Sequence, residues 1–259
     1  AAACDLPVVI VPTTVSTDAP TSAISVLYTE DGLFDHYRFY AKNPDLVLVD
    51  TQIVIQAPIR FFASGMADAL ATCAEALATK ASGENALAGG LPTIAGTAIV
   101  EACEETLFRE GLSAFAAVQK GLVTPAVEAI TLLSGLGFEN GGLAAAHAIH
   151  NGFTAIKGEV HRLTHGEIVG FCLLVQLILE ERPQEEFKRY SRFLAAIGMP
   201  TTLAEMHLTG ATREELLEIG KLAVAPSNTM KNLNKNITPA QVGAAILAED
   251  TFIEKEEKE

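Results

Sequence analysis

The sequence predicts an α/β plus all-α architecture: an incomplete α/β portion over residues 1–57, then a large all-helical portion over residues 58–259. Three observations carry this. The first stretch holds short β-type runs separated by turn signals. The second is Ala-rich and broken at helix-like intervals by Gly, Pro and Ser/Thr caps. The 259 residues are 49% hydrophobic, enough for one large core or two modest ones.

Taken in order, Ala1 to Pro7 reads as the tail of a helix running into the strand Val8–Val11. An unalternated Val-Val-Ile-Val run predicts a strand covered on both faces, as in a parallel sheet flanked by helices. Residues 1–57 are too few to supply both covers. Ala23–Tyr28 follows, with a hairpin expected around Gly32 after Glu30-Asp31. Past the turn Asn43-Pro44-Asp45, a strand over Leu46–Val49 is expected to extend to Ile53–Ile55. Helices are predicted over 67–81, 93–110, 112–119, 125–136, 141–156, 166–180, 184–197, 213–224 and 239–252. Pro125 and Pro239 stand where a proline opens a helix. The charged end, residues 254–259, reads as a solvated tail.

Lys+Arg 18 against Asp+Glu 32 gives a net charge of -14, which argues against nucleic acid or an anionic membrane as partner. Four scattered cysteines form no C-x-x-C pair and fit reduced thiols in a cytoplasmic protein. The apolar stretch Ile168 to Leu179 is too short to span a bilayer.

Four of the six histidines, His147, His150, His161 and His165, fall within 19 positions of an apolar, helix-prone region. Buried imidazole needs partners for both ring nitrogens, so the cluster implies either a metal site or a polar network at a helix junction. Asp68, in Gly65-Met66-Ala67-Asp68, reads either as a first-turn acid favoured by the helix dipole or as a metal ligand. One carboxylate with two imidazoles leaves a coordination position open, as catalytic divalent sites require. Spacing does not choose between these readings.

Four segments carry a resemblance: Pro12-Thr13-Thr14-Val15-Ser16-Thr17-Asp18-Ala19-Pro20-Thr21-Ser22-Ala23, Asn43-Pro44-Asp45-Leu46-Val47-Leu48-Val49-Asp50, Gly65-Met66-Ala67-Asp68-Ala69-Leu70-Ala71-Thr72 and His147-Ala148-Ile149-His150-Asn151-Gly152. In this order they resemble the glycerol dehydrogenase branch of the iron-containing alcohol dehydrogenase superfamily, and family-like text continues close to the C-terminus. The resemblance implies that residues 1–57 are the remnant of an NAD-binding α/β domain and 58–259 an all-α metal-binding catalytic domain. It assigns the metal ligands to Asp68, His147 and His165, the last also touching substrate. Thr72 stands where iron-using relatives carry a further histidine, which favours zinc, although such sites also accept iron and manganese. It further implies Asp18 against the polyol hydroxyls, with an Asx-turn before Pro20 as its other reading. Thr13, Thr14, Val15 and Ser16 would lie beside the adenine–ribose and nicotinamide portions of NAD, and Ser22, Ile24 and Tyr28 along the nicotinamide half. Ordinary strand and turn packing is the alternative for all seven. His150 reads equally as a proton relay or support behind the ligands and as a ring satisfied locally; His161 reads as the latter, and His36 and His207 as surface residues.

The implied reaction is oxidation of glycerol to dihydroxyacetone, hydride passing to NAD while the ion acidifies the alcohol. The implied assembly is a homo-oligomer, commonly an octamer. The family's Gly-rich pyrophosphate loop has no counterpart here, the first glycine being Gly32, so an N-terminally shortened chain is expected. Two alternatives therefore stay open: a non-catalytic metal-binding oligomer that has lost NAD binding, and a dehydrogenase of another small vicinal diol.

Overall fold

The structure, a computed structural model, describes residues 4, 6–233 and 236–256. The expected helix tail over Ala1–Pro7 and the end of the charged tail lie largely outside the described residues.

Strand β1 (Val9–Ile10) pairs in parallel with β4 (Leu46–Val47), Val9 opposite Leu46. Between them β2 (Ile24–Tyr28) and β3 (Phe34–Phe39) form the expected antiparallel hairpin, closed by a turn in which Gly32 takes φ 81°. The predicted strands are longer than the observed ones, and Val8–Val11 is not covered on both faces: Val9 is 57% and Val11 50% exposed. With β4 as its sole partner strand among the described residues, β1 has little to bury against. The strand expected over Ile53–Ile55 is instead the short helix α1 (Thr51–Val54). Asp50 overrides the β-branched run, its carboxylate accepting the amides of Gln52 and Ile53.

The remaining elements are helical, as expected, and several boundaries differ. Helix α2 runs from Ile59 to Ser82, so Gly65 lies inside it and Asp68 is mid-helix, which removes the first-turn reading of Asp68. The two helices expected over 93–110 and 112–119 are one, α3 (Ile94–Val118). A single interior glycine, Gly111, costs about 1 kcal/mol and does not break a run of strong helix formers. Residues 125–136 split into α4 (Ala126–Glu128), a π-helical turn over Ala129–Leu133 and α5 (Ser134–Gly141). Then come α6 (Ala145–Phe153), α7 (His165–Leu179), α8 (Gln184–Ala196), α9 (Arg213–Ala223) and α10 (Pro239–Glu256).

Helices α2 and α7 form the centre. Met66, Leu70, Phe171, Leu173 and Leu174 are wholly buried there, and α7 is apolar all round because neighbours cover every face. One apolar core runs through the helices and takes in Val15 and Val54 from the first 57 residues.

Candidate metal centre and adjoining cleft

Each side chain of the histidine–aspartate cluster is delivered by a different helix. Asp68 projects from the middle of α2 and is 1% exposed. His165 is the first residue of α7, whose start is fixed by a capping box: Thr164 accepts the Glu167 amide while Glu167 accepts the Thr164 amide. Arg60 of α2 grips the same Glu167 through two hydrogen bonds, Nε to Oε1 at 2.6 Å and a second to Oε2. Gly166 then lets α7 meet α2 closely, since a Cβ there would lie 2.0 Å from the Ser64 carbonyl oxygen.

His147 enters from the first turn of α6, a helix whose N-cap position, Ala144, offers no side-chain cap. Two buried side chains supply it from elsewhere. Glu75 Oε1 accepts the amides of Ala144 and His147, at 2.8 and 2.9 Å, and Gln176 Oε1 accepts those of Ala145 and Ala146, both at 2.9 Å. All four amides of the first turn are thereby satisfied.

The result is compact. Asp68 Oδ1 lies 3.4 Å from His147 Nε2 and 3.3 Å from His165 Nε2, and one donor atom from each residue falls within 4.8 Å of the others. For a tetrahedral ion with ligands at about 2.0–2.1 Å, neighbouring donors stand about 3.3 Å apart, so the two Asp68 separations fit such an ion. Asp68 Oδ1 is also a buried oxygen without a conventional hydrogen-bond donor. Burial opposes ionisation of Asp68, but the His165 and His147 rings outweigh it and hold the carboxyl well below the usual range. Burial likewise disfavours a charged His147, yet Glu75 and Asp68 prevail and raise its pKa well above an ordinary imidazole's.

His150 stands behind His165, with Nε2 3.1 Å from His165 Nδ1. Burial, reinforced by the His165 and His147 rings, keeps His150 neutral. His36 and His207 are exposed, as expected; His161, expected to be satisfied locally, is exposed as well.

The cluster forms one wall of a cavity of about 420 Å³ also lined by Asp18, Ser22, Ile24, Tyr28, Tyr37 and Asn151. Of the seven residues expected around a dinucleotide, Ser22, Ile24 and Tyr28 thus reach the cleft. Thr13, Thr14, Val15 and Ser16 do not line it: Val15 is buried against α2, and the Ser16 carbonyl accepts the Ser64 hydroxyl at 3.2 Å. Asp18 is 8% exposed and accepts the Ser134 hydroxyl at 2.6 Å and that of Thr72 at 3.4 Å. Its Asx-turn reading does not materialise, because its side chain caps no backbone amide. Burial and the Asp68 charge push the Asp18 pKa up to about 7, against the opposing Ser134 bond and His147. The π-helical turn places Ser134 there, and its Thr131 carbonyl accepts Thr21 at 2.8 Å. Glu75, Gln176, Ser134 and Tyr37 were not singled out from the sequence. Glu75 follows Asp68 by seven positions, two helical turns on the same face, which is a signal that could have found it.

No family model matches the chain. Glycerol dehydrogenase 1 of Schizosaccharomyces pombe is 48% identical over 255 residues, 97% of this chain and 57% of that protein. Glycerol dehydrogenase of Citrobacter freundii is 47% identical over 249 residues, 95% of this chain and 68% of that protein. The crystal structure of the Schizosaccharomyces pombe glycerol dehydrogenase superposes with a TM-score of 0.97 at 46% identity, covering 99% of this chain and 66% of that one. The chain therefore spans somewhat over half the length of the first of these relatives and about two thirds of the others. With near-half identity across more than two thirds of the Citrobacter protein, this chain belongs to the glycerol dehydrogenase family.

Proposed function

We propose that this chain carries the metal-binding and substrate-holding part of an NAD-dependent glycerol dehydrogenase, oxidising glycerol to dihydroxyacetone. Asp68, His147 and His165 hold a divalent ion, zinc, with residues 58–259 as the catalytic unit and residues 1–57 contributing to the NAD side. The observation that carries the reading is the convergence of those three donors at a cleft that Asp18 also lines.

A divalent cation at this position supplies positive charge that makes a nearby alcohol hydroxyl more acidic. The chain's own residues do the rest. Asp18, with a pKa about 7, is poised to accept or share a hydrogen bond with a polyol hydroxyl at neutral pH. Thr72 and Ser134 hold that carboxyl in place by donating to its Oδ2. Thr72 offers a hydroxyl rather than a fourth imidazole, which favours zinc over iron. His150, neutral and touching His165, keeps that ring oriented. Ser22, Ile24 and Tyr28 flank the cleft where the nicotinamide would lie. Thr13, Thr14, Val15 and Ser16, which do not line this cleft, are assigned by resemblance beside the adenine–ribose and nicotinamide portions of NAD.

The reading includes a cytoplasmic homo-octamer. No helix among the described residues is long and apolar enough to cross a membrane. Cys73, Cys103 and Cys172 are buried free thiols. Ile94 (90% exposed), Leu91 (64%) and Leu122 (60%) offer apolar surface for self-association. The test is metal stripping and re-addition. One zinc per chain, with glycerol-dependent NAD reduction that vanishes with a chelator and returns with zinc, is the expected result. Glycerol oxidation unaffected by complete metal removal would overturn the reading.

A further inference from the structure

His147 approaches Asp68 through Nε2, so its ligand role depends on Nε2 being free of a proton and aimed correctly. A neutral imidazole carries one N–H, and the group facing Nδ1 decides where it sits. That group is Glu75, whose Oε2 lies 2.5 Å from Nδ1. Its other oxygen is committed to two backbone amides, those of Ala144 and His147 itself. Glu75 is 0% exposed, so no water competes for either oxygen. The turn leading into α6 is pinned as well: Thr229 donates to the Ala144 carbonyl at 2.6 Å and Asn232 to that of Leu143 at 2.6 Å. Glu75 therefore clasps both the backbone and the ring of one residue, and it sits two turns from Asp68 on the same helix.

We propose that Glu75 is the positioning residue of the metal centre: its carboxylate fixes the Nδ1–H form of His147, turns Nε2 toward Asp68 and makes the ring a stronger ligand. This rests on the reading of Asp68, His147 and His165 as ligands. Glu75 touches neither substrate nor ion; it acts through His147, as carboxylates behind metal-bound imidazoles do.

Glu75→Gln is the discriminating variant because it keeps size and shape. Two backbone amides point at the Oε1 position and demand an oxygen there, which leaves the side-chain NH2 facing Nδ1. Nδ1 must then accept, the proton moves to Nε2, and zinc has to displace it. The companion is Gln176→Ala, which removes the other half of the α6 cap without touching the His147 ring.

Zinc affinity is read by chelator competition on the metal-stripped 259-residue chain. The expected result is a dissociation constant about 10–100-fold higher for Glu75→Gln. Gln176→Ala should lower the melting temperature while retaining wild-type zinc affinity. Histidine-labelled 1H–15N spectra of the zinc-loaded wild type should contain a far-downfield Nδ1–H from His147, an observation that needs no variant to fold. Equal zinc affinity for wild type and Glu75→Gln, or a His147 protonated at Nε2 in the zinc-loaded wild type, overturns the inference while leaving the ligand set intact. Equal weakening by Glu75→Gln and Gln176→Ala also overturns it, since the effect would then come from the helix cap. A wild-type chain that takes up no zinc overturns the ligand reading and this inference together.

Discussion

The strands of the first 57 residues and the helices α2 and α7 are made of the same kinds of side chain, yet they sit in opposite environments. Val9, Val11, Leu46 and Leu48 are each at least half exposed, whereas Phe171, Leu173, Leu174 and Met66 are wholly buried. Apolar sequence alone therefore does not decide burial; it needs neighbours on every face, which α7 has and β1 lacks. The site follows the same division. The proposed ligands all come from the helical part, where buried carboxylate and amide clasps hold the starts of α6 and α7. Asp18, Ser22, Ile24 and Tyr28 come from the first 57 residues and line the same cleft. The difference suggests that metal binding and diol binding can be damaged separately.

The largest expected effect breaks the helical side of that comparison. His165→Ala should weaken zinc binding by more than about 100-fold, with Asp18→Ala leaving it near wild type. Chelator competition on the two variants decides, and comparable losses would show that the two groups of residues are not independent. Next is the packing contrast itself. Phe171→Ala should cost about 3–5 kcal/mol, while Val9→Ala should stay within about 0.5 kcal/mol. Denaturant unfolding monitored by circular dichroism checks both, and a Val9→Ala cost above 1 kcal/mol would mean that β1 is covered in solution.

How much of this was legible beforehand follows from the range of the interactions. The helical character of residues 58–259 and the β2–β3 hairpin were legible because periodicity and turn residues are local signals. Residues 53–55 misled because their β-branched side chains were outweighed by one capping aspartate, Asp50. The early start of α2 was missed because Gly65 looks like an entry to a helix, while its use is to admit a neighbouring backbone. The proposed ligand set joins residues 79 and 18 positions apart (68 to 147, 147 to 165), and no spacing rule relates three helices. Resemblance supplied that grouping. The supporting shell was partly visible as spacing: Glu75 follows Asp68 by seven positions and Gln176 follows His165 by eleven, whole numbers of turns along α2 and α7. What the spacing lacks is the destination of those side chains, the uncapped start of α6.

Gly65 tests the seam between the two regions. A Cβ there would lie 1.9 Å from the Val15 carbonyl oxygen and 2.7 Å from Ile130 Cγ2, so Gly65→Ala forces the strand part away from α2. The expected cost is about 1–3 kcal/mol, the range for inserting volume into a packed interior. Because Val15 leads directly into Asp18, glycerol affinity should fall while zinc affinity holds. A calorimetric titration of each ligand reads the two effects, and a loss confined to zinc would reverse the assignment of the two groups of residues.

The smallest effect concerns a carboxyl inside the helical part that no clasp satisfies. Glu249 of α10 is 0% exposed, and neither of its oxygens has a hydrogen-bond partner. Burial raises its pKa well above the usual carboxyl range, and the charges of Asp250 and Glu205 add to the effect. Because the folded state holds the proton more tightly than the unfolded chain, this contribution to stability is full below the unfolded glutamate pKa. It is lost as pH rises through the folded value, each unit of displacement being worth about 1.4 kcal/mol. Glu249→Gln cannot titrate and keeps the shape, so its advantage over wild type should grow with pH. For a chain of this size about 1 kcal/mol moves the melting temperature by about 2–4 °C. The variant should therefore melt a few degrees above wild type at pH 8, with the gap shrinking toward pH 5. A gap independent of pH, or one that widens on acidification, would mean that Glu249 is ionised in the folded protein and finds a counter-charge there.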